Sequence, residues 1–401
     1  MSTSNQEGTQ LTHLPALDTL RAVGALGVLT THTAFWAGAY TAHGVWGAVL
    51  ARLDVGVAIF FVLSGFLLSR PWIAAARAGR RGPRVTPYLG KRFLRIVPVY
   101  VVTAILALVL IDANRDLGVR DWLVTLTMTD IYVSSGPPPG LTQTWSLATE
   151  VAFYVTLPLL MLVILGRGGL SPRRVAISLA LASSTTVLWL AVVSPRLPFA
   201  GDIAVNEWLP AFLTWFSAGI GLALLHVLHG ADALLPPVRD AVERVAASPG
   251  VCWSIVGGLL LVAATPVAGP TLLVAPTLAD AVTKNLLYTA IGGLLVFSAA
   301  FAPATSRYAR LMAHRVPRHL GLISYSLFLI HLPVLHLVMK ATGYQLYEGH
   351  FLQIFLLTLG LSLLAAQVLY SLVEKPFMSL KRREFGSTDR ATTPASATST
   401  R

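Results

Sequence analysis

The stretch Leu17–Trp36 reads LDTLRAVGALGVLTTHTAFW. About 20 predominantly apolar residues cross a bilayer as a helix, so this run is long enough to span. It nevertheless carries an acid, a base and an imidazole: Asp18, Arg21 and His32. Whether it belongs to a soluble core or to a membrane span depends on its surroundings. The chain of 401 residues is 55% hydrophobic and only 12% charged, with a mean hydropathy of +0.68. A soluble domain carries about 25% charged residues, so too little polar surface is left here to coat a soluble protein of this length. Apolar runs of span length recur to the end of the chain, which decides against an unusually apolar soluble core.

The expected fold is therefore an all-α polytopic membrane protein with about ten transmembrane helices. The spans are read at 16–36, 54–76, 95–112, 145–166, 174–193, 207–228, 251–269, 281–301, 319–340 and 350–374. Asp121–Tyr132, DWLVTLTMTDIY, reads as a short interfacial amphipathic helix, and SSGPPPG at 134–140 breaks the chain after it. One transmembrane domain is expected over 16–385, preceded by a tail at 1–15. A polar, disordered tail is expected at 386–401. Met1–Gln10 lacks a positive n-region, so no cleaved leader is expected. The lone Cys252 sits in an apolar run and has no partner for a disulfide.

The formal charge of +12 is unevenly placed. Arg77, Arg80, Arg81, Arg84, Lys91 and Arg92 follow the second span, and Arg307, Arg310, Arg315 and Arg318 follow the eighth. The opposite connections hold only Arg52, Arg115, Arg120 and Arg196, with Lys284 and Lys340 at their border. The positive-inside rule then predicts both termini in the cytoplasm of a multi-pass protein of the cytoplasmic membrane. It also accounts for the basic charge without nucleic acid.

The polar residues within the spans carry the chemistry. Arg21 and His32 are eleven residues apart, which is three helical turns with about 20° left over, so they share a face about 16 Å apart along the axis. Arg21 is equally readable as a snorkelling anchor and His32 as an interhelical hydrogen-bond partner. Ionisable groups inside spans are nevertheless functional candidates by default, and imidazole titrates nearest neutrality. Ser64 and Gly65 in the second span suit close helix packing. Arg92 and Arg95, read at the start of the third span, share a face and form either a phosphate clamp or ordinary positive flanking. In the fourth span Glu150 has Ser146 and Tyr154 as i±4 neighbours. In the ninth, Ser324 and His331 are nearly aligned, and His331 is readable as a satisfied core histidine. Glu374 and Lys375 are expected at the cytoplasmic surface, with Pro376 ending the last helix.

Six segments together resemble the integral-membrane acyltransferase family 3. They are LDTLRAVGALGVLTTH, GVAIFFVLSGFLLSR, KRFLRIVPVY, TWSLATEVAFY, LGLISYSLFLIHLPV and LVEKPF, in family order from residue 17 to about 380. The family's Arg-x10-His pattern falls on Arg21 and His32, its Arg-x-x-Arg on Arg92 and Arg95, and its Trp-Ser-Leu-x-x-Glu on Trp145, Ser146 and Glu150. The chain departs from the family at Ala58, where many members have Asp, and at Val151, where many have a second acid. It looks like the shorter members, which lack a C-terminal hydrolase-like domain and include macrolide O-acyltransferases.

The resemblance implies acyl-CoA as co-substrate, with no permanently bound cofactor or metal, and a hydroxylated acceptor such as a sugar, glycolipid or macrolide. On this reading His32 and Glu150 are catalytic, with His32 the general base and Glu150 orienting it. Arg21, Arg92 and Arg95 bind CoA. Ser64, Trp145, Ser146, Tyr154, Ser324 and His331 line the substrate path. A transporter or flippase is the rival reading, but it favours inverted repeats, which the sequence does not display.

Overall fold

The computed structural model describes residues 13–166, 169–198, 201–272 and 274–386. The tail expected to be disordered lies outside these residues from 387 on. Among the described residues the chain is helical throughout, with no strand. Ten long helices, numbered here in chain order, run Pro15–Trp36 (α1), Gly56–Arg77 (α2), Val85–Leu110 (α3), Trp145–Leu165 (α4) and Pro172–Leu188 (α5). They continue with Leu213–Gly230 (α6), Pro249–Ala263 (α7), Leu278–Phe301 (α8), Arg315–Thr342 (α9) and Phe351–Leu369 (α10).

By length and apolarity, eight helices of the described residues qualify as membrane spans, or nine if Pro236–Ala246 and Pro249–Ala263 form one span bent by 78°. Of the ten long helices, α7 qualifies only within that bent pair and α1 in neither count. The α1 sequence is diluted by Asp18, Thr19, Arg21, Thr30, Thr31, His32 and Thr33. It tolerates them because α9, α2, α8 and α10 all pack against it. A helix enclosed by protein needs no continuous lipid-facing stripe, and its polar groups find partners inside the bundle.

Glycines set the closest approaches. A Cβ on Gly321 of α9 would overlap the backbone carbonyl of Asp18 on α1. One on Gly65 of α2 would overlap the carbonyl of Phe216 on α6. Both helix pairs therefore depend on the missing side chain. α1 and α9 run side by side in this packing, which brings residues 299 positions apart in sequence into contact.

Two boundaries differ from the sequence expectation. α3 begins at Val85, ten residues early, because the extended Arg84 after the Gly-Pro of the loop frees the chain to start there. Pro87 falls in the first turn, where its missing N–H costs nothing. Arg92 and Arg95 consequently sit two to three turns into the helix rather than at its start. At the other end Pro376 does not terminate the chain's helix. A π-helical turn at Tyr370–Glu374 precedes it, and helix continues over Lys375–Gly386 with Pro376 at its second position. There the proline's missing donor is again harmless.

Candidate active site

The polar residues of the spans fall into two groups, joined by α1. The first lies around Arg21. Its guanidinium binds Asp18 Oδ1 at 2.7 Å, and Asp18 also lies 3.1 Å from His13 Nε2. Arg92 and Arg95 of α3 are within electrostatic reach of Arg21. Neither has a carboxylate within ion-pairing distance among the described residues. Arg92 Nε is buried and without a hydrogen-bond partner. Three guanidiniums thus share one neighbourhood, and only Arg21 is paired.

Glu150 belongs to this group. It accepts hydrogen bonds from the Ser64 hydroxyl and from Tyr154 Oη at 2.6 Å, and Arg92 is within its electrostatic reach. Both hydrogen bonds end on Oε1 and face α2 and its own helix, and none runs from Glu150 to His32 among the described residues. Glu374, expected at the surface, is 1% exposed. The π-helical turn rotates it inward, where it accepts from Ser326 Oγ at 2.8 Å and feels Arg95 and Arg21. Reading the tenth helix as regular α-helix hid this carboxylate.

The second group is a pair of histidines. His32 Nδ1 lies 2.8 Å from His331 Nε2. The ring centroids are 5.1 Å apart and the planes differ by 13°. Adding the two ring radii to the nitrogen separation accounts for that centroid distance. The rings therefore meet edge to edge, nearly in one plane, and do not stack face to face. His331 Nδ1 in turn lies 2.7 Å from the carbonyl oxygen of Phe328. His331 is fully buried, whereas His32 keeps partial access. No third metal-ligating side chain joins them among the described residues.

The other residues assigned to the substrate path are mostly tied to the scaffold. Ser324 Oγ donates to the Gly321 carbonyl at 2.8 Å, and Ser146 Oγ to that of Gln143 at 3.1 Å. Trp145 packs edge-on against Phe61 with centroids 6.4 Å apart. Gln143, which sequence reasoning passed over, donates to the Leu329 carbonyl at 2.7 Å and keeps a buried, unpartnered Oε1. Its place near the end of α4 ties the Trp145 segment to α9, two residues from His331. Asp54 is held elsewhere, by Lys284 at 2.7 Å and by the Tyr288 hydroxyl.

Comparison with known proteins agrees with this architecture. Acyltransferase MdmB of Streptomyces mycarofaciens is 27% identical over 93% of this chain and 94% of its own length. Peptidoglycan O-acetyltransferase OatA of Listeria monocytogenes is 23% identical over 91% of this chain, which spans only 56% of that relative. A putative peptidoglycan O-acetyltransferase, YrhL of Bacillus subtilis, is 25% identical over 93% of this chain and 57% of its own. No solved structure matches. The family described as acyltransferase domain matches residues 14–370, and this multi-pass membrane chain belongs to that family.

Proposed function

We propose that the chain transfers a short acyl group from acyl-CoA to a hydroxyl of a sugar or glycosylated polyketide such as a macrolide, with His32 as general base. The observation that carries this reading is the arrangement on α1. Unpaired Arg92 and Arg95 gather around Arg21 at one end, and a partly accessible histidine sits eleven residues further along the same helix. CoA is a polyanion with a long, thin pantetheine arm. Guanidiniums suit its phosphates, and a separation of about 16 Å along the helix lets the thioester reach imidazole while phosphate stays outside. The basic connections on the Arg21 side support both termini facing the cytoplasm, where CoA is found.

In the reaction His32 Nε2 takes the acceptor hydroxyl proton as the oxygen attacks the thioester carbonyl. The new C–O bond forms, the C–S bond breaks, and the thiolate sulfur receives the proton from His32. The similarity to peptidoglycan O-acetyltransferase OatA keeps a cell-envelope glycan as the second acceptor class. The test is purified protein with acetyl-CoA and a panel of macrolides and glycans. Acceptor-dependent release of free CoA thiol is expected, and it should vanish in His32→Ala. Thiol release that is absent with every acceptor, or unchanged in that variant, counts against the reading.

A further inference from the structure

We propose that His331 is a positioning residue that fixes the tautomer of His32, keeping the Nε2 lone pair of His32 free for the acceptor hydroxyl. This rests on the reading of His32 as the base. It follows from counting protons along one hydrogen-bonded line. The Phe328 carbonyl can only accept, so the 2.7 Å contact requires a proton on His331 Nδ1. A neutral His331 then has its lone pair on Nε2. The 2.8 Å contact from that nitrogen requires a proton on His32 Nδ1. A neutral His32 so protonated has its lone pair on Nε2, which makes no hydrogen bond to any described residue.

One backbone carbonyl therefore sets the protonation pattern of two rings. The edge-to-edge geometry supports this, because nearly coplanar rings point the His32 N–H straight at the His331 lone pair. Full burial of His331 leaves water no route to replace that acceptor. During transfer the proton leaves the acceptor oxygen for His32 Nε2, and the charge of the resulting imidazolium is met by the His331 lone pair through the same bond. When the thiolate departs, His32 Nε2 returns the proton to sulfur and the line regains its first state. Without His331, His32 is free to hold its proton on Nε2, where it faces the acceptor as a donor and has no lone pair for it.

The test combines kinetics with a direct readout of the tautomer. His331→Leu removes the acceptor, and His331→Gln keeps an oxygen able to accept from His32 Nδ1–H. Expected is a fall in kcat of about 10²-fold or more in His331→Leu, with KM for acetyl-CoA little changed, and recovery to within about tenfold of wild type in His331→Gln. In ¹⁵N-histidine-labelled protein in nanodiscs, the signal lost in His32→Ala should show a proton on Nδ1 in wild type and on Nε2 in His331→Leu. Overturning results are an Nε2-protonated His32 in wild type, wild-type turnover in His331→Leu, or a His331→Gln as inactive as His331→Leu while binding acetyl-CoA normally. If His331→Leu fails to fold, the wild-type spectrum and the Gln variant still decide. Retained turnover in His32→Ala defeats the base assignment itself. A dead His32→Ala beside a fully active His331→Leu defeats only the positioning role.

Discussion

Gly321 of α9 lies against the backbone carbonyl of Asp18 on α1, with no space between them for a methyl group. The contact sits at the Arg21 end of the site, and the same two helices carry His32 and His331 further along. Close-packed interiors transmit strain, so a wedge at one end is felt at the other. The spacing of the histidine pair is therefore a property of this glycine as much as of the rings.

Gly321→Ala should accordingly impair both stability and turnover. The added methyl group meets main chain, which cannot rotate away. Overpacking of this kind costs about 1–3 kcal/mol. The expected result is a lower melting temperature together with a fall in kcat, as α1 and α9 part and the His32–His331 bond lengthens. Gly293→Ala is the control, because a Cβ there meets nothing within 4 Å. Equal behaviour of the two variants would show that the close approach is not needed.

Arg92→Ala and Arg95→Ala should each weaken acyl-CoA binding. Charge-assisted hydrogen bonds of this type are worth about 1.5–3 kcal/mol. The loss should be smaller with an acyl-pantetheine donor, which lacks the nucleotide phosphates, and should shrink as salt rises. Titration of both donors into folded variants checks this. Equal losses for the two donors would leave these arginines as topology signals only.

Glu150→Gln separates two readings of that carboxylate. As an orienting partner of His32 it would govern turnover. Held by Ser64 and Tyr154 and facing Arg92, it lies with the arginine group, the end proposed to bind the donor. The amide keeps its oxygen as the acceptor for both hydroxyls, replaces Oε2 with a donor and removes a charge beside the arginines. The expected outcome is a changed KM for acyl-CoA with a kcat within a few-fold of wild type. A large kcat loss at unchanged KM would restore the orienting role.

The sequence shows much of this architecture and little of the pairing. Apolar runs locate the long helices because the bilayer fixes their length. The eleven-residue spacing places Arg21 and His32 on one face because α-helical geometry is local. His331 was visible as an ionisable residue in a span, but its partner depends on how α1 and α9 rotate about their axes, which no local pattern encodes. Ser64 and Glu150 meet for the same unencoded reason. Ser146, the i−4 neighbour expected to face Glu150, instead bonds back to Gln143. Glu374 was misplaced because a π-helical turn shifts the facing of every side chain after it. The start of α3 differs because Arg77 to Arg92 read as one basic connection between spans.

Glu207, expected at the start of the sixth span, lies outside it in the structure and makes stability depend on pH. Glu207 ends a 3₁₀ turn, Val205–Glu207, in the link between α5 and α6. Its backbone carbonyl accepts from the Thr149 hydroxyl, one residue before Glu150. Its Oε2 is buried and has no hydrogen-bond partner. Removal from water disfavours the charged form, and burial pushes the carboxyl up from 4.5 to about 7. The folded state then holds this proton over a range in which the unfolded chain has released it. Stability falls wherever the folded state binds more protons and pH rises. The stabilisation tied to the protonated carboxyl is therefore complete below 4.5, drains away as pH climbs, and is gone above about 7. Glu207→Gln stays neutral and keeps nearly the same shape. Its melting temperature should match wild type at pH 4, exceed it increasingly towards pH 7, and keep a constant lead at pH 8. Thermal unfolding of both proteins in nanodiscs across that range is the measurement. A difference that does not vary with pH would mean that Glu207 is ionised in the folded protein and that its environment is wetter than its burial implies.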